Sequence, residues 1–171
     1  LGNPVSAAVD AMNSALVHLI FSNNFISSVQ YSININGVQD LSGNAINNGT
    51  INFSFYLPQP RNVIIDEIMA KPSPAVGLPN NEWVELTNTS SFPINIRGWR
   101  LAKTSSVSGP MPNFILQPDS FVIICTGSAV AGLSAFGPVI SVTSFPSLLD
   151  AGDLISLISS SGLTSCLAYL V

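Results

Sequence analysis

Glu82-Trp-Val-Glu-Leu-Thr-Asn-Thr-Ser-Ser-Phe-Pro-Ile-Asn-Ile-Arg-Gly-Trp-Arg-Leu101 decides the fold. Val84 and Leu86 fall on one side of an alternating pattern, and Trp83 and Glu85 on the other. Ile94 and Ile96 then alternate with Asn95 and Arg97, and Trp99 and Leu101 resume after Gly98. A two-residue period is that of a half-buried strand. Asn88-Thr-Ser-Ser91 supplies turn chemistry, and Pro93 blocks ladder pairing at the start of the return. The stretch therefore reads as two strands joined by a polar turn, with Gly98 marking a bulge or a close backbone approach. Val84, Leu86, Trp99 and Leu101 are expected at the centre of a β-sandwich core.

Outward from this pair the chain is mostly strand. Val63-Ile-Ile65 opens a strand running to about Ala70, and Phe121-Val-Ile-Ile-Cys125 makes another. Short strands follow near Val139 to Val142, Leu154 to Ser159 and Leu163 to Leu170. Lys71 to Asn81 is a proline-rich loop, and only Ser128 to Phe136 suits a short helix. Before residue 60, Ala15 to Phe21 is a continuous apolar run. Val29, Tyr31, Ile33 and Ile35 alternate with polar residues, as do Ile51, Phe53 and Phe55. Turn signals stand at Asn36-Gly37 and Ser42-Gly43-Asn44. Leu57-Pro-Gln-Pro60 is a stiff, extended connector, because proline fixes φ and restrains the preceding residue. Two regions result, 1–57 and 61–171, joined by a 58–60 linker. Many short strands without a helical period indicate sandwiches.

Composition narrows the function. Of 171 residues, 47% are hydrophobic and only 8% charged, against a usual charged share of roughly 25%. Polarity rests on Ser, Asn and Thr, and a surface so poor in charge repels neighbours weakly. All five basic residues lie between Arg61 and Lys103, interspersed with four carboxylates. That is not the clustered basic face nucleic-acid binding needs. No apolar run reaches membrane-spanning length.

Several ordered blocks resemble the lamin-tail domain in its bacterial exported form. They are Ile65-Asp-Glu-Ile-Met-Ala70, Glu82-Trp-Val-Glu-Leu-Thr-Asn88, Gly98-Trp-Arg-Leu101, Phe114 to Ile124, Ser144 to Leu148, and Gly152 to Gly162. The resemblance covers residues about 63–170 and implies an immunoglobulin-like β-sandwich. Such domains occur in nuclear lamins and in secreted or surface bacterial proteins, often beside enzymes. Asp119 stands where the family usually has Gly after Pro, so a type I turn is expected there. Tyr31 to Asn44, followed by Ile51/Phe53/Phe55, looks like the C-terminal half of a bacterial Ig-like module. A half-sandwich leaves an open apolar face and an unpaired edge, and needs partner strands from elsewhere.

No catalytic constellation stands out. His18, the one histidine, sits in an apolar strand and reads as a strand residue with a polar tip at the surface. There is no nucleophile elbow, phosphate loop or zinc spacing. Asp66, Glu67, Glu82 and Glu85 lie on two neighbouring strands. They are candidates for calcium or for a small metal-assisted hydrolase; alternatively they are solvated, or pair with Arg97, Arg100 or Lys103 on the next strand. Asp40 and Asn44 offer oxygens to calcium or simply close an Asx turn. Trp83, facing outward, is a candidate for stacking on a polysaccharide or docking a partner, or for packing under the proline-rich loop. Cys125 and Cys166 fall on different strands and suit either a disulfide or two small buried residues. The expectation is a non-catalytic extracellular or cell-surface region, docking neighbouring domains or copies of itself. The alternative is a carbohydrate-binding accessory module.

Overall fold

The structure is a computed structural model that describes residues 2–162 and the backbone of 164–169. The chain divides into two compact units, Leu1–Leu57 and Pro58–Val171.

The first unit is three separate antiparallel ribbons. β1 (Ser6–Val9) pairs with β2 (Val17–Ile20), β3 (Val29–Ile35) with β6 (Gly49–Phe55), and β4 (Val38–Gln39) with β5 (Ala45–Ile46). In the β3–β6 register Val29, Tyr31 and Ile33 stand opposite Phe55, Phe53 and Ile51. All six lie on one face. The other face is polar and uncharged, with Ser32 Oγ donating to Asn52 Oδ1 (2.6 Å) and Thr50 Oγ1 to Asn34 Oδ1 (3.0 Å). Phe25 sets its ring edge-on to Tyr31 and Phe53, at 5.2 and 5.4 Å, and Tyr31 stacks on Phe53 at 5.7 Å. None of the described residues of this unit is buried.

The second unit is a two-layered sandwich. Its strands are β7 (Val63–Met69), β8 (Trp83–Asn88), β9 (Ile94–Asn95), β10 (Arg100–Lys103), β11 (Ser106–Val107), β12 (Ile115–Leu116), β13 (Phe121–Cys125), β14 (Val139–Ser141), β15 (Asp153–Ile158) and β16 (Thr164–Tyr169). One sheet has the order β14-β13-β8-β7 and the other β11-β10-β15-β16; β9 and β12 form a small ribbon. A 3₁₀ turn at Gly127–Ala129 leads into α1 (Val130–Leu133). Between the layers lie Val84, Leu86, Val122 and Ile124 from the first sheet and Leu101, Ile155 and Leu157 from the second, all buried. Each such side chain contributes about 1.5–3 kcal/mol by leaving water. That term is large here and small in the first unit. Trp99 is buried with them, as its alternation with Leu101 requires.

The decisive stretch differs from a simple hairpin. β8 and β10 sit in different sheets. Gly98 forms no bulge; with φ +80° it occupies a tight turn in which Trp99 N–H donates to Ile96 O at 3.1 Å. The bulge is in β7 instead, between Ile65 and Glu67. The pairing of acids on β8 with bases on the next strand therefore does not form. Lys103 reaches Asp153 of β15 (2.8 Å) and Ser147 O (2.7 Å), while Arg100 Nη1 donates to Ser108 O (2.7 Å).

The hydrogen-bonded Lys103 ammonium holds the Asp153 carboxyl below its ordinary value of 3.8. A carboxyl lowered by folding stabilises the folded state above its unfolded value, and that contribution disappears as pH falls through the folded one. Asp153→Asn is thus expected to lower the melting temperature at pH 7 and to cost progressively less below about pH 4. A melting-temperature difference that does not change with pH would count against this.

Asp119 occupies the second central position of the Gln117–Ser120 turn, closed by Ser120 N–H on Gln117 O (3.2 Å), and its φ is +55°. A left-handed residue at that position belongs to a type II turn, so the type I expectation is wrong. Side-chain sterics make this conformation unfavourable for Asp and free for Gly. Asp119→Gly is expected to stabilise the second unit by about 0.5–1 kcal/mol in urea unfolding.

Candidate functional site

The β7 bulge creates the most unusual chemistry on the molecule. Without it, Glu67 would follow Val63 and Ile65 onto the core face. The register shift instead sets Glu67 directly opposite Glu85, with Ile68 opposite the buried Val84 and Met69 opposite Trp83. Both glutamates thus stand on the outer face of the first sheet. Like charges directly opposed in an antiparallel pair are destabilising. No base answers them among the described residues: the two ion pairs found there are His18–Asp10 and Lys103–Asp153. Burial pushes the Glu85 carboxyl up, and the Glu67 and Asp66 charges push it further.

Beside the glutamates this outer face is roofed. Trp83, Ile123 and Cys125 pack under Ala129 and Leu133, with Met69, Leu78, Phe121, Val130 and Val139 around them. The roof leaves a cleft of about 190 Å³, bounded by Glu67 and Glu85 on one side and by Trp83, Phe121, Leu133 and Phe136 among its apolar walls. Trp83 is only 6% exposed, and its indole N–H is buried without an acceptor. An unsatisfied buried donor costs about 1–3 kcal/mol. Trp83 is therefore no open platform for a sugar ring. It packs under the proline-rich loop through Leu78, one of the two arrangements its strand position allowed.

The expected four-carboxylate metal site is not assembled. Glu82 accepts from Leu148 N–H (3.1 Å), holding the 144–148 loop, and Asp66 accepts from Thr87 Oγ1 (3.3 Å). Only Glu67 and Glu85 converge, and among the described residues no group of three His, Cys, Asp or Glu side chains gathers. A calcium ion wants six to eight oxygens. In the first unit, Asp40 spends its carboxylate on its own turn. Oδ1 accepts from Ser42 N–H and Asn44 N–H, both at 2.9 Å, and Oδ2 accepts from Asn44 Nδ2 at 2.8 Å. The Asx turn accounts for both residues. His18 sits at the surface, its Nε2 2.7 Å from Asp10 Oδ2. Cys125 is a free, buried thiol whose pKa burial raises. Its expected disulfide partner, Cys166, has a side chain outside the described residues.

Sequence reasoning did not find one residue, Asn88. Read as turn chemistry, it is wholly buried. Its Nδ2 donates to Phe92 O (2.8 Å) and Leu116 O (2.9 Å), and its Oδ1 accepts from Ser90 N–H (2.9 Å). It shares parity with Val84 and Leu86, which was the available signal.

Two sheets packed face to face around Trp99 and Leu86 define an immunoglobulin-like sandwich. A family model described as the lamin tail domain matches residues 57–167, well over half the chain, and the chain belongs to that family. No curated protein matches it.

Proposed function

We propose that this chain is a structural and docking region of an extracellular or cell-surface bacterial protein, which joins neighbouring domains or further copies of itself by strand addition. The observation that carries the reading is the β3–β6 ribbon. Its apolar side is covered only in part, by Phe25, and leaves Ile51 53% exposed and Val29 and Phe55 each 38%. Both strands have a second edge that pairs with no described strand. Edges of this kind accept a further strand through main-chain hydrogen bonds, and the apolar face supplies the affinity. The near absence of charge keeps repulsion between partners small.

Sedimentation velocity over a wide concentration range tests the assembly. The full chain is expected to associate, with β3 and β6 amides gaining exchange protection, and Ile33→Lys with Phe53→Lys is expected to abolish both effects. A single species at every concentration with freely exchanging β3 and β6 amides, also when its neighbouring domains are present, would falsify the reading. Membrane-impermeant labelling of intact cells tests the location: labelling only after lysis would place the chain inside.

A further inference from the structure

The Glu67–Glu85 cleft lies in the second unit and is independent of the open ribbon. We propose that it is a docking subsite for the basic side chain of a partner polypeptide, with an arginine guanidinium between Glu67 and Glu85 and its stem against the apolar wall. Three observations converge on that chemistry. First, the β7 bulge places two carboxylates opposite one another and no base among the described residues answers them, so the folded chain carries an electrostatic cost that an incoming cation removes. Second, the walls are aromatic and aliphatic: Trp83, Phe121, Phe136 and Leu133. A bare metal ion gains nothing from such walls and lacks oxygens here, whereas an arginine carries its charge on an apolar stem and stacks on aromatic rings. Third, the Trp83 indole N–H on the same wall has no acceptor. A guanidinium cannot supply one, but a main-chain carbonyl can once the buried N–H is uncovered by a small shift of the wall, which favours a polypeptide over a free organic cation.

Heteronuclear NMR titration of the full chain with a short arginine-containing peptide tests the proposal, a peptide with citrulline in place of arginine serving as the neutral isostere. The arginine peptide is expected to shift the Trp83 indole resonance with millimolar affinity. The citrulline peptide should bind at least about tenfold more weakly, since a charge-assisted pair is lost. Glu67→Gln and Glu85→Gln should each weaken arginine binding to a similar degree while leaving the melting temperature unchanged or higher. That combination separates a lost contact from a damaged fold. Equal binding of the citrulline peptide, an unmoved indole resonance, or full affinity in both variants would overturn the proposal. So would calcium chloride producing the same shifts at comparable affinity, which would assign the glutamate pair to a metal.

Discussion

Asn88→Asp is expected to destabilise the second unit by about 3–5 kcal/mol at pH 7, although it exchanges one nitrogen for one oxygen. The wild-type amide donates to Phe92 O and Leu116 O from Nδ2. An aspartate places an acceptor against those two carbonyls, removes the amide donor from each at about 1–3 kcal/mol where none replaces it (Phe92 O keeps the Ser90 hydroxyl at 3.0 Å), and adds a buried charge. None of the groups its side chain meets is a base that could offset the charge: they are Phe92 O, Leu116 O and Ser90. The damage spreads because Asn88 is a junction. Its backbone N–H donates to Ser120 O and its carbonyl accepts from Asp119 N–H, both at 3.0 Å, so one residue ties the end of β8 to β12 and to two turns. The buried acid would have its pKa raised by folding. Its destabilisation is therefore smallest at low pH, where it is protonated and can donate once, and grows as pH rises past about 4. Urea unfolding followed by tryptophan fluorescence measures this, since Trp83 and Trp99 both lie in the second unit. A cost under about 1 kcal/mol, or one independent of pH, would show that the network is dispensable.

How much of this was legible depended on whether the cause was local. Alternation placed β3, β6 and β8, a strand-sized apolar run placed β13, and alternation put Val84, Leu86, Trp99 and Leu101 in the core, because burial of every second side chain is written into neighbouring residues. What escaped depends on partners distant in the chain. Lys103 meets Asp153 across fifty residues of sequence, whereas proximity suggested Glu82 or Glu85. The bulge at Asp66 reverses the faces of everything after it. A pattern read without it puts Glu67 beside Ile65 in the core and cannot bring Glu67 against Glu85. The β10–β11 hairpin turns on Thr104-Ser105, which lacks the Gly or Asn that usually marks a two-residue turn. Asn88 was misassigned for a different reason. Polar residues after a strand suggest a turn, and that cue outweighed its inward parity with Leu86. The candidate site was thus half visible: its residues were singled out, but their grouping was not.

Trp99→Ala is expected to cost about 3–5 kcal/mol, the range for removing a large aromatic from a packed interior. Such a loss is a large part of the roughly 5–15 kcal/mol by which a domain is stable. The placement of Trp99 argues for the upper half of that range. It follows directly on the Gly98 turn, where the chain passes from the β9–β12 ribbon into β10 of the second sheet, and it is 5% exposed. Its carbonyl accepts from Met111 N–H at 2.8 Å and its N–H donates to Ile96 O, so neighbouring backbone is pinned and cannot collapse to fill the void. Trp83→Ala removes an equally buried indole, but from the roof over the outer face, where Leu78 and the α1 segment can settle inward and the unsatisfied N–H disappears with the ring. It should therefore cost less than Trp99→Ala, by about 1 kcal/mol or more. Parallel urea titrations of the two variants, each monitored by the remaining tryptophan, give the comparison. If Trp83→Ala proved the more damaging, the stability of the sandwich would reside in its roof and not between its sheets.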